Sequence, residues 1–148
     1  MTILNDKNYA HCKEKSNACS ENERRFEITG SQSGRQNLFR IKVDKCIYND
    51  SDVLKRCDYI FELKDSFSCF VELKGKHIKD AVLQLNSSLQ EFSAEVSGKK
   101  YAFIVASKNE LPNAKTERQK WERMFKTKYD AKFDMKNAKM SKHIDELK

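Results

Sequence analysis

The sequence is poor in proline and glycine, and it has no long hydrophobic run. One proline and four glycines among 148 residues exclude a collagen-like chain, and 39% hydrophobic residues are enough for a packed core. No apolar run approaches the roughly 18 residues of a membrane span. The first residues also lack a hydrophobic segment followed by a small-residue cleavage site. We therefore expect a single α/β domain over residues 1–148 that is cytoplasmic and has no membrane partner.

Cysteine is present, but in an odd number. The five cysteines form no regular framework, so we expect reduced thiols rather than disulfides. His11, Cys12 and Cys19 suggest a zinc site, but their spacing matches no compact ligand pair and no second pair completes a set of four ligands. Cys57 and Cys69 occupy apolar strand positions, where we expect small buried hydrophobic side chains.

The net charge of +7 is concentrated near the end of the chain. Residues 113–148 hold 11 Lys and Arg against 6 Asp and Glu, which supplies +5 of that charge. A basic surface attracts phosphate backbones, and nucleic acid is its usual partner. A solvated lysine-rich surface has the same composition, so charge alone leaves both interpretations open.

Two strands and the helix that follows them organise the chain. Alternating side chains predict strands over residues 57–63 and 67–74, joined by a short polar turn. A register with an even pairing sum places Asp58 opposite Glu72 or Lys74, so three charged groups share one face. Folding gives no reason to gather an Asp, a Glu and a Lys at the ends of two otherwise hydrophobic strands. The arrangement therefore needs a chemical explanation.

The helix after this hairpin is the clearest in the sequence, because its apolar residues form one stripe that must face a sheet. The stripe consists of Ile78, Ala81, Val82, Leu85, Leu89 and Phe92. Residues 99–107 are apolar on both faces, which predicts a central or parallel strand reached by a crossover helix. An accessory helix is expected, with Asn113 or Thr116 as its N-cap. An edge strand over residues 131–136 can follow it, and residues 137–148 form a polar terminal helix or a tail.

The chain before the hairpin is predicted to be less regular. The first 19 residues are polar, and we expect them to be partly mobile. Residues 20–28 predict a short helix, in which Ser20 caps the first turn and Glu23 completes a capping box. Alternation over residues 37–43 predicts a strand. The expected order is helix, three strands, helix and strand, followed by the accessory helix and edge strand.

That order, with those charges, resembles the PD-(D/E)xK nuclease superfamily, whose restriction-endonuclease-like core runs αβββαβ around a central mixed sheet flanked by helices. The resemblance covers residues 20–107. Asp58 stands at the first acidic position, and Glu72–Lys74 matches the (D/E)xK element. Gln84 resembles the glutamine that several members carry on the next helix. Cys57 replaces the proline of the motif, which many members also lack.

The resemblance implies a nuclease that uses Mg²⁺, with Mn²⁺ as a substitute. Asp58 and Glu72 would supply carboxylate ligands, and Leu73 would supply a backbone carbonyl. The ion would polarise a phosphodiester oxygen and lower the pKa of an attacking water. Lys74 would orient or help to deprotonate that water, or offset charge on the phosphate. Gln84 would bond the water or hold Lys74 in place.

Three further positions leave alternatives open. Glu23 or Glu27 would supply the glutamate that is frequent on the first helix of the family. Asp44 is either an additional ligand or part of a simple turn. Glu62–Lys64 repeats the tripeptide Glu-Leu-Lys, but it lies near the hairpin turn and no helix follows it.

The substrate that the resemblance implies is DNA rather than RNA, in a defence, repair or mobile-element setting. We expect contact through phosphates rather than bases. The candidate contacts are Arg35, Arg40, Arg56, Lys115 and Arg118. A chain this small would need a homodimer or a larger partner to cut both strands of a duplex. The alternative is a catalytically inactive domain of the same fold that binds nucleic acid or another protein.

Overall fold

The computed structural model describes residues 3–48, 56–74, 77–107 and 115–148. The strands are β1 (Lys13–Lys15), β2 (Ala18–Glu21), β3 (Arg24–Thr29), β4 (Leu38–Lys42), β5 (Tyr59–Leu63), β6 (Phe67–Lys74), β7 (Lys99–Ala106), β8 (Ala131–Asn137) and β9 (Lys139–His143). The α-helices are α1 (Ile78–Phe92), α2 (Lys115–Tyr129) and α3 (Ile144–Leu147). Two short 3₁₀ helices span Lys7–Cys12 and Ser93–Glu95.

Six strands form a central mixed sheet in the order β1-β4-β5-β6-β7-β8. Neighbours are antiparallel from β1 to β6 and parallel from β6 to β8. The predicted strands over residues 37–43, 57–63 and 67–74 are confirmed as β4, β5 and β6. The apolar strand over residues 99–107 is confirmed as β7, which lies between two parallel neighbours and is buried on both faces. The predicted edge strand is confirmed as β8.

The two long helices pack on one face of this sheet. Helix α1 packs on β6 and buries all six apolar residues of its predicted stripe. Helix α2 packs on β8, where the ring of Phe125 stacks on that of Phe133 with centroids 5.3 Å apart. Burying one such side chain contributes about 1.5–3 kcal/mol. The stripe is therefore sufficient to fix α1 against the strand that carries Glu72 and Lys74.

A smaller sheet of three strands, in the order β2-β3-β9, covers the opposite face together with α3. Phe26 of β3 is fully buried, with its ring centroid 5.2 Å from that of Phe61 and 5.6 Å from that of Phe103. The hairpin strands are consequently buried on both faces, and not only on the apolar face expected from their alternation. The protein is mixed α/β, with a central mixed sheet flanked by helices.

The helix predicted over residues 20–28 is wrong. These residues lie in the hairpin of β2 and β3, whose turn has φ angles of 45° at Asn22 and 68° at Glu23. Buried residues alternate along β3, which is the period of a strand, and they are Arg24, Phe26 and Ile28. Their burial against the central sheet outweighs the local capping signal. Among the described residues no α-helix precedes β4, so the first helix of an αβββαβ core is not found there.

Neither glutamate proposed for that first helix has a helical position. Glu23 is exposed in the β2–β3 turn. Glu27 lies on β3, where its carboxylate pairs with Lys139 at 3.0 Å and accepts a hydrogen bond from Ser141 at 2.8 Å. These two contacts lower the pKa of Glu27, so this carboxylate serves to join β3 to β9.

Both ends of the described chain pair with strands of the two sheets. Within residues 3–19, β1 pairs with β4 and the backbone N–H of Leu4 donates to Glu95 at 2.8 Å. Partial mobility of this segment stays a prediction. Near the other end, β9 pairs in parallel with β3, and α3 buries Ile144 and Leu147. A terminal helix is therefore present, but it is packed rather than frayed.

The expectation of reduced thiols is wrong for one pair of cysteines. Cys12 and Cys46 form a disulfide across 34 residues of sequence. Their pairing depends on the packing of the first 3₁₀ helix against the turn after β4, which no local sequence pattern specifies. Cys19, Cys57 and Cys69 are free and buried, as expected for the latter two. Within the residues that the structure describes, no helix is both long and apolar enough to cross a membrane.

Candidate active site

Asp58 and Glu72 lie side by side where β5 begins and β6 ends. Tyr59 is opposite Val71 in the antiparallel ladder, so the next step of the register brings Asp58 to Glu72, as the even pairing sum predicts. The two carboxyl groups are close enough for Asp58 to raise the pKa of Glu72. The Oδ2 atom of Asp58 also accepts a hydrogen bond from the backbone N–H of Leu73 at 2.8 Å. The acidic pair is therefore built into the backbone of the hairpin.

The carboxyl group of Glu72 is buried, and within the described ranges one of its oxygen atoms lacks a hydrogen bond. Its exposed fraction is 2%, and its Oε1 atom has no hydrogen-bond partner among the described residues. Burial and the neighbouring Asp58 raise the pKa of Glu72 well above its usual value. A cation placed between the two carboxyl groups would satisfy the orphaned oxygen and relieve the repulsion of the two charges. The donor set therefore fits a hard divalent cation.

Lys74 and Gln84 meet beside this pair. Lys74 ends β6 on the same face as Glu72, and its Nζ lies 3.4 Å from the Oε1 atom of Gln84 on α1. The Nε2 atom of Gln84 in turn donates to the carbonyl of Arg56 at 3.4 Å. Gln84 thus bridges the lysine to the chain that leads into Asp58.

Ser88 was not expected from the sequence, and it fixes the start of β5. Its Oγ atom accepts the backbone N–H of Cys57 at 2.7 Å and donates to the carbonyl of Gln84 at 2.8 Å. Ser88 is fully buried and lies one helical turn after Gln84. The sequence offers one signal for Ser88, which is its spacing of four residues from Gln84 on α1. Residues four apart lie on the same helix face, so both side chains reach the start of β5.

A small polar cavity of about 250 Å³ opens next to Asp58. Its lining residues are Ser20, Glu21, Lys42, Asp44, Lys45, Asp58 and Tyr59. Asp44 is close enough to raise the pKa of Glu72, but it does not join the acidic pair in one compact group with ligand atoms within 4.8 Å of one another. The site is therefore a pair of carboxylates with a third acidic residue at the rim, and lysines lie beside it.

Arg24 is a second residue that sequence reasoning missed. Its exposed fraction is only 8%, and its Nη1 atom donates to the hydroxyl of Ser107 at 2.9 Å. The backbone N–H of Ser107 donates to the carbonyl of Lys74 at 3.2 Å. The Nε atom of Arg24 has no hydrogen-bond partner in the described part of the chain. A buried guanidinium therefore stands at the strand ends that also carry Lys74.

The arginines predicted to contact phosphate make contacts within the chain. Arg40 pairs with Glu14, and its guanidinium lies 5.1 Å from the ring centroid of Tyr59. Arg56 pairs with Glu91, with its Nε atom 2.5 Å from the carboxylate. Both side chains have structural partners that a nucleic acid would have to replace.

The other three predicted contacts lie at different places. Arg35 donates to the carbonyl of Gly30 at 3.1 Å and lines a surface cavity of about 680 Å³. Arg118 pairs with Asp134 of β8 and lines a cavity of about 780 Å³ that shares no lining residue with the cavity at Asp58. The side chain of Lys115 lies outside the described residues. Of the five predicted phosphate contacts, none of the four arginines lines the cavity at Asp58.

The repeated tripeptide Glu62–Lys64 is excluded from the acidic pair by its position. Glu62 is opposite Ser68 near the hairpin turn, at the other end of β5 from Asp58. Its carboxylate lies 3.8 Å from the Nζ atom of Lys13 on β1. Glu62 thus forms an ordinary ion pair with Lys13, outside the tripeptide, which makes Glu62 a matched control for Glu72.

Comparison of the chain with protein-family models, with curated proteins and with solved structures gave no match.

Proposed function

We propose that the protein is a metal-dependent nuclease that hydrolyses phosphodiester bonds, with DNA as the favoured substrate. The observation that carries the proposal is the buried, unpartnered Oε1 atom of Glu72 beside Asp58. A buried carboxylate pair lowers the stability of the protein unless something binds it. Lys74 and Gln84 lie beside this pair with their side chains 3.4 Å apart, which supports the proposal.

The order of elements supports the same proposal. From β4 onward the chain runs through three strands, α1 and β7, which corresponds to the βββαβ part of a restriction-endonuclease-like core. The acidic pair lies where the second of these strands begins and the third ends, and the glutamine lies on the helix that follows. The proposed membership in the PD-(D/E)xK superfamily rests on this order together with the site.

Each residue has a distinct task in the proposed reaction. Asp58, Glu72 and the carbonyl of Leu73 would hold Mg²⁺ or Mn²⁺, and the ion when bound would supply Lewis acidity to the scissile phosphate and to a water. Lys74 would orient the attacking water and offset the charge that develops on the phosphate. Gln84 would keep the Lys74 ammonium group at the strand end.

Substrate binding is proposed to depend on phosphate contacts near the acidic pair. Lys42 and Lys45 are exposed and line the cavity at Asp58. They suit a polyanionic backbone better than the arginines that bond within the chain. A homodimer or a larger partner for double-strand cutting, a cytoplasmic location, and a defence, repair or mobile-element role remain predictions.

A catalytically inactive nucleic-acid-binding domain is the second candidate. One observation favours it: no first helix and no glutamate from such a helix accompany the acidic pair among the described residues. The pair itself argues against it, because a binding module gains nothing from a buried carboxylate with an unsatisfied oxygen.

The test is cleavage of plasmid, linear duplex, single-stranded DNA and RNA with Mg²⁺ or Mn²⁺. We expect wild-type protein to cut with either ion, and the folded variants Asp58→Asn and Lys74→Ala to lose cutting. Glu62→Gln is the matched control and should cut like the wild type. A wild-type protein that binds these substrates but cuts none of them would support the inactive domain instead.

A further inference from the structure

A second group of potential metal ligands offers nitrogen and sulfur instead of the carboxylate oxygens of the acidic pair. It consists of His11, Cys12 and Cys46. Cys12 ends the first 3₁₀ helix, and Cys46 lies in the turn after β4. A ring nitrogen of His11 and both sulfur atoms lie within 4.8 Å of one another. Among the described residues this is the one group of three or more potential ligands that is so compact.

The donor set is one nitrogen and two sulfurs. Zn²⁺ binds imidazole nitrogen and thiolate sulfur, and three protein ligands with a water in the fourth position form a recurrent tetrahedral site. Mg²⁺ prefers oxygen ligands, so this group would not compete for the ion expected at Asp58. His11 is exposed and Cys46 is half-buried, which leaves the group open to an ion from solvent.

The other three cysteines are unsuited to the same role. Cys19, Cys57 and Cys69 are buried, and burial raises the pKa of each thiol. Among the described residues, none of the three has two further potential ligands close enough to form a compact group. Their positions also separate them, because Cys19 and Cys69 lie in the core on one side of the central sheet and Cys57 in the core on the other.

We propose that the reduced protein binds one Zn²⁺ through His11, Cys12 and Cys46, with water as the fourth ligand. Reduction of the disulfide by a dithiol breaks the S–S bond and yields two thiols, while the reductant forms its own disulfide. The ion then displaces a proton from each thiol. Disulfide and metal site use the same two sulfurs, so each excludes the other.

The disulfide and the proposed zinc site would each cross-link the first 3₁₀ helix to the turn after β4. The turn that carries Cys46 also contacts the candidate active site, because the backbone N–H of Val43 donates to the carbonyl of Asp58 at 3.0 Å. A disulfide would hold this turn to the first 3₁₀ helix under oxidising conditions, and Zn²⁺ would hold it under reducing ones. The N-terminal segment would thus stay attached in either redox state.

Cobalt provides the test, because Co²⁺ replaces Zn²⁺ and absorbs visible light when thiolates bind it in tetrahedral geometry. Protein reduced with a phosphine and desalted without oxygen should bind one equivalent of Co²⁺ with thiolate-to-metal absorption, and Zn²⁺ should displace it. Oxidised protein should show no such absorption. Cys46→Ser should remove it, and His11→Ala should weaken Co²⁺ binding by at least about tenfold, the effect of losing even an outer partner of a metal ligand.

Cys19→Ala is the matched control and should bind Co²⁺ like the wild type. His11 is exposed, so its substitution should leave the fold intact, and circular dichroism of each variant checks this. Absence of thiolate absorption in the reduced wild type would overturn the proposal, as would absorption that survives both Cys46→Ser and His11→Ala. No nucleic acid or Mg²⁺ enters the experiment, so its result is independent of the proposed nuclease activity.

Discussion

The carboxylate of Asp58 accepts the backbone N–H of Leu73 at 2.8 Å, and thereby ties the start of β5 to the end of β6. The same carboxyl group contacts Glu72. Asp58 is therefore both a proposed ligand and a structural acceptor, and the two roles can be separated by substitution.

The first prediction concerns that separation. Asp58→Asn keeps an oxygen acceptor for the Leu73 N–H, whereas Asp58→Ala leaves the N–H without a partner. An unsatisfied buried donor lowers the free energy of unfolding by about 1–3 kcal/mol. Urea denaturation without metal should therefore show Asp58→Ala to be less stable than Asp58→Asn by that amount, while both lack nuclease activity. Equal stability of the two variants would show that the hydrogen bond contributes little.

The second prediction concerns the pH dependence that Glu72 imposes on the metal-free protein. Its pKa is raised in the folded state, so the folded protein holds this proton more tightly than the unfolded chain does. The contribution to stability is complete below the unfolded-state pKa, and it is lost as the pH rises through the higher folded-state pKa. Glu72→Gln removes this loss.

With a chelator present, the free energy of unfolding should therefore fall more between pH 5 and pH 8 for the wild type than for Glu72→Gln. At pH 8 the variant should be the more stable protein. Glu62→Gln, whose carboxylate is on the same strand pair but near the turn, should follow the wild type. A steeper fall for Glu72→Gln would contradict the raised pKa.

The third prediction is that Mg²⁺ stabilises the protein through the acidic pair. A ligand that binds only the folded state adds about 2.7 kcal/mol to the free energy of unfolding at a concentration of about 100 times its Kd. The thermal midpoint of the wild type and of Glu62→Gln should rise with Mg²⁺, and that of Glu72→Gln should not. Identical shifts in all three proteins would place the ion elsewhere.

The parts of the site that could be predicted depend on local periodicity. A period of two and a short turn were enough to bring Asp58 opposite either Glu72 or Lys74, and the register of the structure selects Glu72. The resemblance suggested Gln84 on the following helix, and burial of the predicted stripe of α1 brings the Gln84 side chain to the end of β6. In both cases the interacting residues lie close together in sequence, within the hairpin or the helix that follows it. Local patterns are therefore enough to predict which of them come near each other.

The errors involve partners that are distant in sequence. Residues 20–28 become strands because β3 pairs with β9, which starts at Lys139 and is more than a hundred residues later. The disulfide of Cys12 and Cys46 and the burial of Arg24 against Ser107 depend on the same long-range packing. A capping box is a weak local preference, and tertiary burial overrides it.

The fourth prediction concerns Arg56, which the sequence suggested as a phosphate contact. Its Nε atom lies 2.5 Å from the Glu91 carboxylate, and its guanidinium lies 4.9 Å from the ring centroid of Tyr48. The exposed fraction of the Arg56 side chain is 12%. Arg56→Gln should lower the free energy of unfolding by about 2 kcal/mol, between the values for exposed and for fully buried pairs.

Glu91→Gln should have a similar effect, and the double variant should lose less than the sum of the two. Binding of duplex DNA to Arg56→Gln should keep the salt dependence of the wild type, because each lost phosphate contact would lower the slope of log K against log salt by about one. A lower slope without a change in stability would restore Arg56 as a substrate contact.

The fifth prediction tests whether Gln84 acts through Lys74 rather than through the metal. The Gln84 side chain reaches the Lys74 ammonium group at 3.4 Å, and it is not among the proposed ligands. Gln84→Ala should leave the Mg²⁺-dependent rise in thermal midpoint intact but lower kcat by as much as about 100-fold, the effect that a misplacement of about 1 Å can have. Gln84→Glu should restore a partner for Lys74 and move the activity profile to higher pH, since a carboxylate stabilises the charged form of the lysine. Gln90→Ala, at an exposed position of the same helix, is the control and should match the wild type. Loss of Mg²⁺ stabilisation in Gln84→Ala would instead mean that the helix positions the ion, since the acidic pair itself would be unchanged.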